Sequence, residues 1–331
     1  MPSLTGPAPP LARARELAAR REWSALAEHC AACSDAELRA EPELGFLCAD
    51  ACLRTGRPEQ ALERGAGIEP ALRRRGERAL LLNLLNVVGA ALFQLGRTAA
   101  AHERFGELLE LASEWGNEEF AARASNNLGV LANVRGEREA ALAHYQRALA
   151  SYQRLGYVRG LAQTHHNLGI SYRDLGHAQE ADAHYQRAIE LAAGAQSEDV
   201  IAQAESERAL LRASAGDGKL AEALARRALR RFERLGDPLG SADALRVLAA
   251  AARARREPAL AATHLQHALA IARAHSDPLL LAEVQRDRGL LLRDQDDAAA
   301  ARAALGEARD AFAALGAAAD EQALQRLLDS L

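Results

Sequence analysis

Four cysteines are the first residues that could do chemistry. Cys30-x2-Cys33 and Cys48-x3-Cys52 have the spacing of a four-thiolate zinc site, each pair on one helix face. Cysteine is also a common small buried residue, and packing is the expected role here. Zinc binding and a redox disulfide are the alternatives. His165 and His166 are adjacent, so on a helix their rings point about 100° apart and cannot chelate one metal together. His144, His184 and His264 are spread over separate segments and read as a solvated flank. Gly216-Asp217-Gly218-Lys219 lacks the length and the Ser/Thr of a phosphate-binding loop and reads as a turn. Arg73-Arg74-Arg75, and Arg226-Arg227 with Arg230-Arg231, are basic clusters on expected solvated faces. No nucleophile elbow, His-Glu-x-x-His or Gly-x-Gly-x-x-Gly occurs. A non-catalytic chain with no cofactor is therefore expected.

The elements that carry these residues repeat. Asn126-Asn127-Leu128-Gly129 returns 40 residues later as His166-Asn167-Leu168-Gly169. Ala143-His144-Tyr145-Gln146-Arg147-Ala148 returns as Ala183-His184-Tyr185-Gln186-Arg187-Ala188. One column reads Gly89, Gly129, Gly169, Ala209, Ala249, Gly289; another reads Ala61, Ala101, Ala141, Ala181, Ala221, Ala261, Ala301. A third reads Phe105, Tyr145, Tyr185, Ala225, Leu265, Leu305. A fixed period of this length signals stacked supersecondary units. Cys48 and Cys52 fall in its buried columns, and Trp115 shares a column with Leu155, Leu235 and Leu315, which points to packing.

Each period holds two helices. Gly56, Gly96, Gly136, Gly176 and Gly216 mark the turn within a repeat; Gly116, Gly156, Gly236 and Gly316 mark the turn between repeats. Glycine supplies the left-handed residue that ends a helix. Asp237-Pro238 and Asp277-Pro278 are helix starts, with Asp as N-cap and Pro in the first turn. The spacing predicts a short hairpin over about 11–33 and pairs over 41–75, 78–114, 118–154, 158–194, 198–234, 238–274 and 278–314. A capping helix is expected over 317–330, and a disordered lead over 1–10. The array 11–331 is read as one domain.

Composition agrees. Ala makes up about a quarter of the 331 residues, and Ala is the best helix former. Val, Ile and Thr are scarce, which argues against sheet folds. The fold class is all-α: antiparallel helix pairs, seven to eight of them, stacked as a solenoid.

The pattern resembles the tetratricopeptide repeat family. Leu168-Gly169 with Tyr172, and the trios Ala141, Tyr145, Ala148 and Ala181, Tyr185, Ala188, carry the resemblance. It is strongest over 118–194 and weaker after 200. The period departs from the family's usual 34 residues, and the proline near the end of the second helix is absent. Six extra residues imply the long-helix variant seen in kinesin light chains, bacterial peptide-pheromone receptors and sensor regions of bacterial transcription activators. The resemblance implies a right-handed superhelix, no chemistry in the repeats, and a concave side lined by the first helix of each pair.

That side would carry Asn83 and Asn86 in one repeat, Arg123, Asn126, Asn127 and Asn133 in the next, and Gln163, His166, Asn167 and Arg173 in the third. An Asn amide donates and accepts at once and can grip an extended peptide backbone. Arg123 or Arg173 can hold a carboxylate through two parallel bonds, and His166 is a further group for acidic partners. Asn is a poor helix former, so its abundance here asks for a reason. Inter-helix bonding or a solvated face is the competing one. The later stripe, Gln203, Ser206, Glu207, Asp243, Arg246, Glu283, Arg286 and Asp287, is charged and expected to pair with itself.

The expected function is a protein-interaction scaffold that binds a peptide or partner segment in this groove. The alternative is a regulatory sensor of a small peptide or metabolite, acting through a separate output protein. A net charge of −4 argues against nucleic acid as partner. No run approaches the length of a membrane span. Four prolines and no apolar stretch in Met1–Pro10 are unlike a secretory signal, so a cytoplasmic setting is expected. Self-association through the Ala-rich outer face is possible.

Overall fold

The computed structural model describes residues 10–331, and every regular element among them is a helix. The expected lead, 1–10, lies outside the described residues except for Pro10, which opens the first helix. The described residues fall into two compact units, one ending at Phe120 and the other running Ala121–Leu331.

The first unit holds α1 (Pro10–Ala19), α2 (Trp23–Ala31), α3 (Asp35–Ala40), α4 (Pro42–Arg54), α5 (Pro58–Arg75), α6 (Arg78–Gln94) and α7 (Thr98–Glu114). α3 stands where the sequence suggested only a linker. A capping box explains it: Ser34 accepts from the Glu37 backbone N–H, and the Glu37 carboxylate accepts from the Ser34 backbone N–H. Two orphan donors are thereby satisfied in a helix too short to stand alone.

The helix α8 (Glu118–Val134) leads into the second unit. That unit continues with α9 (Arg138–Leu155), α10 (Val158–Asp174), α11 (Ala178–Gly194), α12 (Glu198–Ser214) and α13 (Gly218–Leu235). It ends with α14 (Pro238–Ala254), α15 (Pro258–Ala274), α16 (Pro278–Asp294), α17 (Ala298–Ala314) and α18 (Ala318–Asp329). Helix stops follow one design. At Gly136, φ is +80°; its N–H donates to the Asn133 carbonyl and the Glu137 N–H donates to the Ala132 carbonyl, which closes a Schellman motif. Five turns among the described residues reach the left-handed region without glycine, through Arg21, Gln196, Arg256, Ser276 and Asp296.

Two of the sequence columns turn out to be one packing feature. A Cβ added to Gly129 would lie 2.6 Å from the Tyr145 ring, and one added to Gly169 would lie 2.4 Å from the Tyr185 ring. The aromatic of the second helix therefore seats on the bare backbone of the first. Where the partner shrinks to Ala225, the small position grows to Ala209, and Ala249 faces the Leu265 repeat position. The small position carries a methyl group only where the aromatic is lost, as close packing demands. The Ala column, from Ala61 to Ala301, is fully buried. The Trp115 column is different: Leu155 and Leu235 are exposed while Leu315 is buried. It sits at helix ends, where a residue is covered only if a further element lies over it.

First helices of neighbouring pairs touch directly, α10 with α12, α12 with α14 and α14 with α16. That places them on the inner wall of the second unit's curve.

Candidate functional site

Eight of the ten expected binding residues lie on this inner wall, and the structure binds four of them to one another. Asn126 is buried; its Oδ1 accepts from Thr164 Oγ1 at 3.2 Å and from Asn167 Nδ2 at 3.1 Å. Asn167 Oδ1 in turn accepts from Gln163 Nε2 at 3.4 Å and lies 3.2 Å from His166 Nδ1. Asn133 is also buried; its Oδ1 accepts from Ser171 Oγ and from Arg138, each at 2.9 Å. The asparagines thus bolt α8 to α10. A buried amide left unpaired would cost about 1–3 kcal/mol, and this ladder meets that demand. Asn127 and Gln163 are half-buried, as is Arg123, whose guanidinium lies 5.9 Å from the centre of the Tyr157 ring. Asn83 and Asn86 belong to the first unit; Asn83 Nδ2 donates to its own helix at the Ala79 carbonyl, 2.9 Å away, and Asn86 is half-buried.

Arg173 bonds to Asp174 at 2.8 Å and to Glu207. Burial pulls its pKa down, but Glu207 and Asp174 more than reverse this and keep it charged. Burial holds the His166 imidazole below its ordinary pKa despite Glu207. His166 is therefore neutral at pH 7, and its Nε2 is enclosed without a hydrogen-bond partner.

Farther along the wall the polar groups are ionic. Arg246 is only 3% exposed and meets Asp243 at 2.7 Å, Asp287 at 3.1 Å and Glu283 at 3.6 Å. Ser206 Oγ donates to Asp243 at 2.9 Å, and Arg286 meets Asp287 at 3.1 Å. Burial would raise Asp287, but Arg286 and Arg246 hold it low. Glu283 goes the other way: burial outweighs its arginines and raises it. Its side chain is nevertheless 27% exposed.

Outside the wall, three expectations change. Cys30 and Cys48 form a disulfide, Cα to Cα 5.5 Å, joining α2 to α4. A disulfide sulfur is not a thiolate donor, so a four-thiolate zinc site is excluded for these residues. Simple packing is corrected for these two as well. Cys52 is buried and Cys33 half-buried, both as thiols. His184 is more than a solvated flank: its Nδ1 lies 2.9 Å from His165 Nδ1, and Tyr172 stacks on it at 5.1 Å. Several members of the arginine runs are paired as well as solvated. Arg227 and Arg231 grip Glu205, whose side chain is 1% exposed.

With this geometry in place, comparison with known proteins is informative. Residues 120–193 match the tetratricopeptide repeat family. Beyond that match, the described residues share the repeat architecture of stacked helix pairs. None of the curated proteins matches the chain. Solved structures do. A Rap protein complexed with competence and sporulation factor aligns with 97% of this chain and 96% of its own, at 16% identity and TM-score 0.60. The Rap conjugation gene regulator of plasmid pLS20, in complex with the Phr* peptide, covers 87% and 77%, at 13% identity and TM-score 0.66. A signal transduction ATPase of Pyrococcus horikoshii with a tetratricopeptide repeat sensor covers 87% and 43%, at 14% identity and TM-score 0.55. At such identities the likeness concerns fold. No described helix is long and apolar enough to cross a membrane.

Proposed function

We propose that the chain is a non-catalytic interaction scaffold whose second unit holds an extended peptide or partner segment against its inner wall. The observation that carries this reading is the wall itself. It is a continuous polar stripe over five first helices in which a rigid, mutually bonded floor supports half-buried amide and guanidinium groups. Asn126, Asn133, Asn167 and His166 form the floor. Arg123, Asn127, Gln163 and Arg173 are the groups that would meet a ligand, the amides on its backbone and the arginines on its acidic groups. One solved neighbour is in complex with the Phr* peptide and another with competence and sporulation factor; the first supports a peptide as the ligand class. Within the first unit, Asn83 and Asn86 would offer amides of the same kind.

A peptide library displayed on phage and selected on the purified chain tests this. Enriched peptides should bind the parent and lose about tenfold or more on an Asn127→Ala/Gln163→Ala variant, since each lost hydrogen bond is worth about 0.5–1.5 kcal/mol. Peptides that bind parent and variant equally would remove the inner wall as the site.

A further inference from the structure

The two ends of the second unit meet. A Cβ added at Gly136, in the turn after α8, would lie 2.9 Å from Ala319 Cβ at the start of α18. Val134 packs against the cluster of Phe312, Leu315, Ala317 and Leu324. Asp320 lies 3.6 Å from Arg286 on the inner wall and within electrostatic reach of Arg138, Arg173 and Asp174, the groups at the wall's opposite end. Arg138 and Asp174 are themselves paired at 3.4 Å. An array built only from neighbour contacts would leave its first and last elements apart. Here the accumulated rotation brings the last helix back onto the first turn of the unit.

From these contacts we infer that α18 is a latch: it closes the second unit into a ring through the Gly136 turn, and a ligand reaches the inner wall when α18 releases that turn. The ligand clause rests on the proposed function; the latch does not. The contact is built to open. α18 is 12 residues long, below the length at which an isolated helix is stable in water. Leu324 is its one fully buried residue, with Leu327 and Leu328 partly buried on the same cluster, and Asp320 at the seam is 40% exposed. Elements with so few buried contacts lie at the low-stability end of a fold.

The test needs no ligand. Ala250 follows Asp243 and Arg246 on the inner stripe and is half-buried; Ala250→Cys places a thiol there. Ala319→Trp is too large for the seam with Gly136 but leaves the Leu324 anchor intact. In the doubly substituted chain, a polyethylene-glycol maleimide should alkylate Cys at 250 about tenfold faster than in Ala250→Cys alone, the change that losing about 1.4 kcal/mol of docking contact produces. Hydrogen exchange should quicken at 134–138 and 318–322 together. Asp320→Arg, which adds a fourth cation among Arg138, Arg173 and Arg286, gives the same readout should the tryptophan variant lose its helical circular dichroism. Equal alkylation rates, or faster exchange at 318–322 with 134–138 unchanged, would overturn the latch. Failure of the peptide selection, with alkylation still accelerated, would reject the groove reading and leave the latch standing.

Discussion

At the residue scale, the Gly–aromatic seats make a sharp demand. Gly169→Ala puts a methyl group 2.4 Å from the Tyr185 ring. Overpacking of this kind costs about 1–3 kcal/mol, more than the 0.8–1 kcal/mol or so that Ala gains over Gly in a helix. Gly169→Ala should therefore lower the denaturant midpoint. Adding Tyr185→Leu recreates the Ala249 and Leu265 combination and should recover most of the loss. A single variant as stable as the parent would contradict the seat. Arg246 makes a second demand. Three carboxylates share it, so Arg246→Met should cost about 3–5 kcal/mol, read by urea unfolding. The self-pairing of the charged stripe around Arg246 was legible in advance; the seats were not. The column of small residues was plain in the sequence, but which larger side chain filled the gap was not. The stripe's polar character was plain too. That Asn126, Asn133 and Asn167 would bond across helices depended on where α10 lies relative to α8.

Among the elements, α2 and α4 are joined by the Cys30–Cys48 bond, which closes a loop of 18 residues. By chain entropy such a bridge is worth about 3 kcal/mol. α1 and α2 are only 10 and 9 residues long, and their core is a single small cluster. Reduction should therefore loosen this end of the first unit first. Trp23 packs on that cluster, so its fluorescence in a Trp115→Phe background should report an unfolding step that dithiothreitol moves to lower urea. An unchanged midpoint would show that the bond contributes nothing. α10 and α11 are linked by the His165–His184 pair. Burial, and then His184 and Arg187, lower the His165 pKa to about 4, and burial lowers His184 as well. The unfolded chain takes up protons near pH 6.5 that the fold refuses, so this contribution is full above pH 6.5 and is lost as pH falls toward 4. Glu283 and Asp320, raised by burial, act with the opposite sign. The clean measurement is the difference between parent and His165→Gln: the parent should lose more stability between pH 7 and pH 5. Parallel pH profiles would disprove the assignment.

For the whole second unit, closure changes what a repeat deletion does. An open array has near-additive nearest-neighbour stability and tolerates loss of one unit. Removing 198–237, one full period, should leave the remaining pairs helical by circular dichroism. It should also shift α18 by one repeat's rotation, so that Ala319 no longer meets Gly136. Hydrogen exchange at 134–138 should then rise to the level of the other inter-helix turns. Retained protection there would mean that the turn is held by something other than α18.

What the sequence determined by itself was everything local or periodic. Ala-rich composition, glycine stops and aspartate–proline starts dictate helices of one length, because each acts within a turn or two of its own position. The period of 40 then forces like elements to pack alike, which made the pairs, the buried Ala column and the tetratricopeptide character readable. Only the tertiary structure decided what lies between distant segments. Cys30 pairs with Cys48 rather than with Cys33, the cysteine nearest to it in sequence, because α2 and α4 meet at that point. The asparagines bond across to the neighbouring helix because the packing of α8 on α10 buries Asn126, Asn133 and Asn167. The meeting of Ala319 with Gly136 depends on the small rotation from each repeat to the next. Summed over five pairs, that rotation decides whether the ends stay apart or touch, and no single column of residues encodes the sum.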